Sequence, residues 1–94
     1  MIYEAGYESL SSILERALLQ AAEGKGKKRH ASGEPFEKQP ICQIRRNVGG
    51  GFTRGQAIKK IIESGRLSRA HAVHELLGAI NYIAAEIICL ESDG

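Results

Sequence analysis

Between Arg45 and Lys60 the chain reads RRNVGGGFTRGQAIKK: a basic pair, three consecutive glycines, an aromatic ring, a hydroxyl, a further arginine and the start of a helix. Those residue types in that order suit phosphate. Glycines at 50 and 51 let backbone N–H groups come close to an anion, and the first turn of a helix leaves donors without intrahelical partners. Arg45, Arg46, Arg54 and Lys59 would contact phosphate oxygens, Gly50 and Gly51 would give the close approach, and Thr53 would add a hydroxyl donor. Phe52, Tyr3 and Tyr7 are the rings available to stack on a base. The order departs from the P-loop pattern GxxxxGK[ST], and no strand is predicted before it, so ATP hydrolysis by that route is not expected. The same glycines also read as a plain turn between two helices.

A second cationic run, KGKKRH over 25–30, brings Lys25, Lys28 and Arg29 next to the end of a helix. It could cradle a phosphate or follow a nucleic-acid backbone, and equally it could be a solvated run whose charge suits a helix C-terminus. His71 and His74 stand three apart beside Glu75, but HxxHE is not the HExxH of a zinc protease and no third ligand follows at suitable spacing. Surface histidines are expected. Cys42 and Cys89 match no CxxC or Cys/His pattern, which predicts reduced, buried thiols and no disulfide or zinc framework. No metal or cofactor is called for.

Charge sharpens the choice of partner. Twelve of the thirteen Lys and Arg lie between residues 24 and 69, against three of the eleven acids, a local excess of nine positive charges beneath an overall +2. An anionic partner follows: a phosphorylated nucleotide first, a nucleic-acid backbone or an acidic protein surface as the alternative. The first twenty residues hold Glu4, Glu8 and Glu15 and no basic leader region, and Asn81 and Glu86 interrupt the longest apolar stretch. No signal peptide or membrane span is expected, and a cytoplasmic location is.

The elements that would position these residues are helical. Ninety-four residues without Trp make one small domain, whose core must come from Ile, Leu, Val and Ala. Leu10, Ile13, Leu14, Ala17, Leu18 and Ala21 recur at helical spacing and predict a helix ending near Glu23. Residues 24–39 have no apolar period and read as a long basic surface loop. Pro40 opens a short helix over 40–47. Phe52, Thr53 and Gln56 form a start signal, with Thr53 as cap, for a helix whose apolar face is Ala57, Ile58, Ile61 and Ile62 and whose basic face is Lys59 and Lys60. Gly65 should end it with positive φ.

Ser68 caps the last helix, 68–91, with Leu67 and Ala72 placed to touch across the cap. That helix is apolar nearly all round, so it must be buried on several sides, and three short helices cannot cover it. Packing against another copy is expected there, with Gly78, Ala79 and Ala85 allowing close backbone approach and Asn81, Glu75 and Glu86 as interfacial hydrogen-bonding groups or helix-end charges. The expected architecture is all-α, a small bundle of three to four helices with a long basic loop, forming a homo-oligomer through 68–91.

HELLGAINYIAAE, residues 74–86, resembles the acidic helix of the MazG-like nucleotide pyrophosphohydrolases, which hold magnesium with carboxylates on paired helices. That resemblance would also require an acid near Gly78 or Ala79 and a partner ExxE helix. Glu4/Glu8 and Glu34/Glu37 do not supply the latter, so magnesium-dependent catalysis is a minor alternative. The run RHASGEPFEKQPICQIRRNVGGGFTRGQAIKK is similar in style to small bacteriophage proteins, among which are oligomeric sponges that sequester cyclic nucleotide immune signals. The resemblance implies a non-enzymatic protein that holds a phosphorylated nucleotide, or else a nucleic-acid-binding or effector-blocking protein of anti-CRISPR type.

Overall fold

The computed structural model describes residues 5–23 and 33–93. Tyr3 and the cationic run with Lys25, Lys28 and Arg29 lie outside the described residues. The elements are α1 (Glu8–Glu23), a 3-10 turn (Phe36–Lys38), α2 (Pro40–Val48), α3 (Gly51–Ser64) and α4 (Arg69–Asp93), with no strand among the described residues. The fold is all-α.

Helix α4 is the axis on which the other three pack. Asn81 Nδ2 donates to the Ala17 carbonyl at 2.9 Å and Gln20 Nε2 to the His74 carbonyl at 3.1 Å, so α1 runs antiparallel to α4. Cys42 and Arg45 of α2 meet Cys89 and Glu86, and Thr53 and Lys60 of α3 meet Glu86 and Glu75. Both of these helices are therefore antiparallel to α4 as well.

Local chemistry sets the ends. Pro40 occupies the first turn of α2, where its missing N–H costs nothing. The three glycines divide three tasks. Gly49 takes φ 97° and stops α2 with its N–H on the Arg45 carbonyl at 2.8 Å, Gly50 is the residue before α3, and Gly51 opens that helix. Thr53 is thus inside α3 and not its cap: its fully buried hydroxyl is turned toward the Gly50 carbonyl and Glu86. Gly65 is also not as expected. Its φ is −66°, and the chain leaves α3 through a tightened turn in which Gly65, Arg66 and Leu67 each bond three residues back. At the start of α4 the Ser68 carbonyl accepts from Ala72 N at 2.8 Å, while the Ser68 hydroxyl faces His71 Nδ1 at 3.0 Å.

The core is made of small side chains: Ala17, Cys42, Ala57, Leu77, Ala79, Ala85 and Cys89 are buried, with Phe36 and Ile41 packed against the cysteine pair. This reverses two expectations. Helix α3 turns Thr53, Ala57 and Lys60 toward α4, and Ile58, Ile61 and Ile62 face outward, about half exposed. The reason is that α4 offers carboxylates at 75 and 86, and ionic partners select the polar column of α3. Ala79 and Ala85 likewise lie inside the chain's own core, and Gly78 makes room for the Lys60 stem, whose Cδ would stand 3.2 Å from a methyl at that position. Small residues on α4 thus serve packing within the chain. Within Arg69–Ser92 an 18-residue window of α4 has a mean hydropathy of 1.4, so the helix is long and apolar enough to cross a membrane by length and composition.

Candidate binding site

Four of the residues expected to meet phosphate converge on a carboxylate of the chain itself. Glu86, in the middle of an apolar helix, is 6 % exposed. Arg45 grips it as a fork, Nε to Oε1 at 2.9 Å and Nη2 to Oε2 at 3.2 Å, with only 11 % of the arginine side chain exposed. Thr53 Oγ1 donates to Oε1 at 2.6 Å, and Arg54 Nη2 reaches Oε2 at 3.2 Å. Gly50 lies directly beneath: a methyl there would stand 2.8 Å from Oε2 and 3.2 Å from Oε1. The start of α3 holds an anion, and that anion is Glu86.

The electrostatics follow from the geometry. The Arg45 hydrogen bonds, then the Thr53 hydroxyl, hold the Glu86 carboxyl down to about 2 from an ordinary 4.5, against the opposing effect of burial. It stays ionised at any ordinary pH. Arg45 and Thr53, expected as phosphate contacts, are engaged by Glu86 within the chain. Arg54 differs, since 63 % of its side chain is exposed.

The remaining candidates are not gathered with these. Arg46 is exposed, with Nη1 on the Glu37 carbonyl at 2.6 Å. Lys59 is exposed five residues after Arg54, which places it about 140° round α3 from that arginine. Phe52 packs edge-on against Tyr82 with centroids 5.9 Å apart, so its ring is part of the α3–α4 contact. Tyr7 is 56 % exposed just before α1. Above Gly51 a methyl would meet nothing within 4 Å. The other polar groups expected at an interface between copies have partners within the chain: Asn81 on Ala17, and Glu75 on Lys60 Nζ at 3.1 Å. His74 faces Gln20 and His71 faces Ser68; among the described residues no three His, Cys, Asp or Glu side chains are grouped to hold a metal.

A second feature belongs to none of the sequence motifs. A groove of about 640 Å³ runs between α1 and the 33–39 segment, floored by α4. Leu14, Leu18 and Ala21 form one wall, Phe36 the other, and Ile80, Ala84 and Ile88 the floor. Of its polar residues, Asn81 and Gln39 already donate to the Ala17 and Glu34 carbonyls. Its signal in the sequence is the excess apolar circumference of 73–90, which periodicity alone assigns to an interface between copies.

Compared with known proteins, the chain matches no family model, no curated protein and no solved structure. The likenesses to pyrophosphohydrolase and phage sequences rest on the quoted residues alone.

Proposed function

We propose that the protein is a non-enzymatic binding module for an anionic amphiphile, whose apolar part sits in the groove beside α4 and whose charge is drawn by the basic stretch of residues 24–69. The groove carries this reading: at about 640 Å³ it falls within the ~300–1,000 Å³ at which small-molecule sites operate, and its lining is chiefly Leu, Ala, Ile and Phe, with Glu34, Gln39 and Asn81 as its polar residues. Of the nine excess positive charges over 24–69, Glu86 and Glu75 of α4 neutralise two through Arg45, Arg54 and Lys60, and the remaining excess of seven supplies the preference for a negative head group. Acid–base catalysis at the buried carboxylate is disfavoured, because Glu86 at about 2 is far from the pKa that suits proton transfer near neutral pH.

Isothermal titration with dodecanoate, and with dodecanol for comparison, tests it. Dodecanoate should bind at defined stoichiometry, more tightly than the alcohol and less tightly as salt rises. Leu18→Asp, at a position 61 % exposed in the groove wall, should remove the binding without loss of helicity. If neither amphiphile binds, the reading fails.

One observation favours a second reading, in which a phosphorylated nucleotide is held. Arg54 keeps donors free at the first turn of α3, beside the open space over Gly51. Native mass spectrometry with mono-, di- and cyclic oligonucleotides and a short duplex would find it. Unchanged uptake of every phosphorylated ligand by Arg54→Ala would count against that site, and uptake of the duplex alone would point to nucleic acid.

A further inference from the structure

We infer that two copies of the chain pair antiparallel along the outer face of α4, about a two-fold axis at Ile83. Leu76, Ile83 and Leu90 recur every seven residues, and with Ile87 they fall within about 60° of helical arc. They are 41–50 % exposed, on the side of α4 that α1, α2 and α3 leave open. Ile58 and Ile61 extend the patch, because they follow Arg54 by four and seven residues on α3, and Arg54 reaches Glu86, which neighbours both Ile83 and Leu90 on α4.

A seven-residue apolar recurrence is the pattern that packs two helices at a shallow crossing of about 20°. Six half-exposed Leu and Ile side chains make a patch on the order of 500 Å², at the upper end of what monomers leave in water. Doubling that patch and adding its polar rim approaches the ~1,200 Å² at which stable interfaces begin.

The helix dipoles choose the orientation. An antiparallel pair about Ile83 sets Leu76 against Leu90 of the second copy, brings Glu91 level with Glu75, and leaves Arg69 beyond the level of Asp93. A parallel pair would align Arg69 with Arg69 and Glu91 with Glu91. The macrodipoles oppose only in the antiparallel arrangement. A bilayer is the competing occupant, since α4 has the length and hydropathy to cross one, but Glu75, Asn81 and Glu86 would enter the hydrocarbon with it.

Sedimentation equilibrium of the full chain should give the dimer mass, and Ile83→Asp should raise the dimer dissociation constant at least tenfold with helicity unchanged. Ile83→Cys should form a disulfide-linked dimer under copper–phenanthroline, in which the oxidant takes two electrons and two protons leave the paired thiols. Lys59→Cys should not, and Leu76→Cys should link to Leu90→Cys only when the two are mixed. A monomer mass, a dimer that Ile83→Cys does not link, or flotation of the protein with phosphatidylcholine vesicles would each overturn the inference. Ile83 lies outside the groove, so dodecanoate binding by Ile83→Asp reads the groove separately.

Discussion

The Glu86 carboxylate rests on the backbone of Gly50, so close that a methyl group there would stand 2.8 Å from Oε2. The contact joins the middle of α4 to the start of α3, and Arg45 arrives from α2, so one carboxylate ties three helices. A charge taken out of water needs this many partners: its solvation is replaced by two guanidinium groups and a hydroxyl. The absence of a Cβ at Gly50 is what lets the acid come in far enough to meet them.

Gly50→Ala should therefore destabilise the protein by about 1–3 kcal/mol, the usual cost of overpacking, because the new methyl meets a carboxylate that Arg45 and Thr53 hold in place. Gly51→Ala is the matched control, with open space around its Cβ and helical backbone. It should be neutral or stabilising by up to about 1 kcal/mol. Urea midpoints of the two variants test the contrast, and equal midpoints would show that the close approach has no energetic consequence.

The two arginines should be unequal although both touch Glu86. Arg45 is 11 % exposed and its fork supplies two bonds; Arg54 is 63 % exposed and screened by solvent. Arg45→Met should lower Tm by more than about 10 °C, because the buried carboxylate loses its principal counter-charge. Arg54→Met should lower it by only a few degrees. Thermal unfolding followed by circular dichroism would decide, and similar losses would mean that the fork is not the main anchor.

Acid should unfold the protein through the same group. The folded state holds the Glu86 carboxyl at about 2, below its ordinary 4.5, so at neutral pH ionisation stabilises the fold. That contribution is complete above about 4.5 and disappears as pH falls toward 2, because the unfolded chain takes up the proton first. Glu86→Gln removes the titration. Urea midpoints between pH 6 and pH 2 should fall steeply for the native chain and more gently for Glu86→Gln, and parallel curves would sink the assignment.

The helices were legible in the sequence because their punctuation is local. Pro40, the glycine run and the long apolar period predict 40–47 and 68–91, against Pro40–Val48 and Arg69–Asp93 in the fold. Which face of each helix turns inward was less legible. Ile58, Ile61 and Ile62 outnumber the other apolar residues of α3, yet Thr53, Ala57 and Lys60 face α4, because their partners Glu86 and Glu75 lie 33 and 15 residues away. Periodicity finds a face, and distant ionic pairs choose between faces. The same distance hid the clasp: Arg45 and Arg54 read as open cations until Glu86, 41 residues beyond Arg45, was brought against them.

Cys42 and Cys89 should be chemically silent in the folded protein despite lying side by side. Both are fully buried, and Cys89 Sγ lies 4.0 Å from the Cys42 carbonyl oxygen. Burial first, and the neighbouring Cys89 second, push the Cys42 thiol up to about 11 from an ordinary 9.0, so thiolate, the reactive form, is scarce at pH 8. Iodoacetamide at that pH should leave the native chain unlabelled and add two carbamidomethyl groups in urea, as read by intact mass. The raised pKa also makes the thiol form favour folding, so this contribution is present below about 9 and is lost as pH rises through about 11. Cys42→Ser should flatten that alkaline loss, because a hydroxyl does not titrate there, whereas rapid alkylation of the native chain would mean that the cysteine core opens far more often than its burial implies.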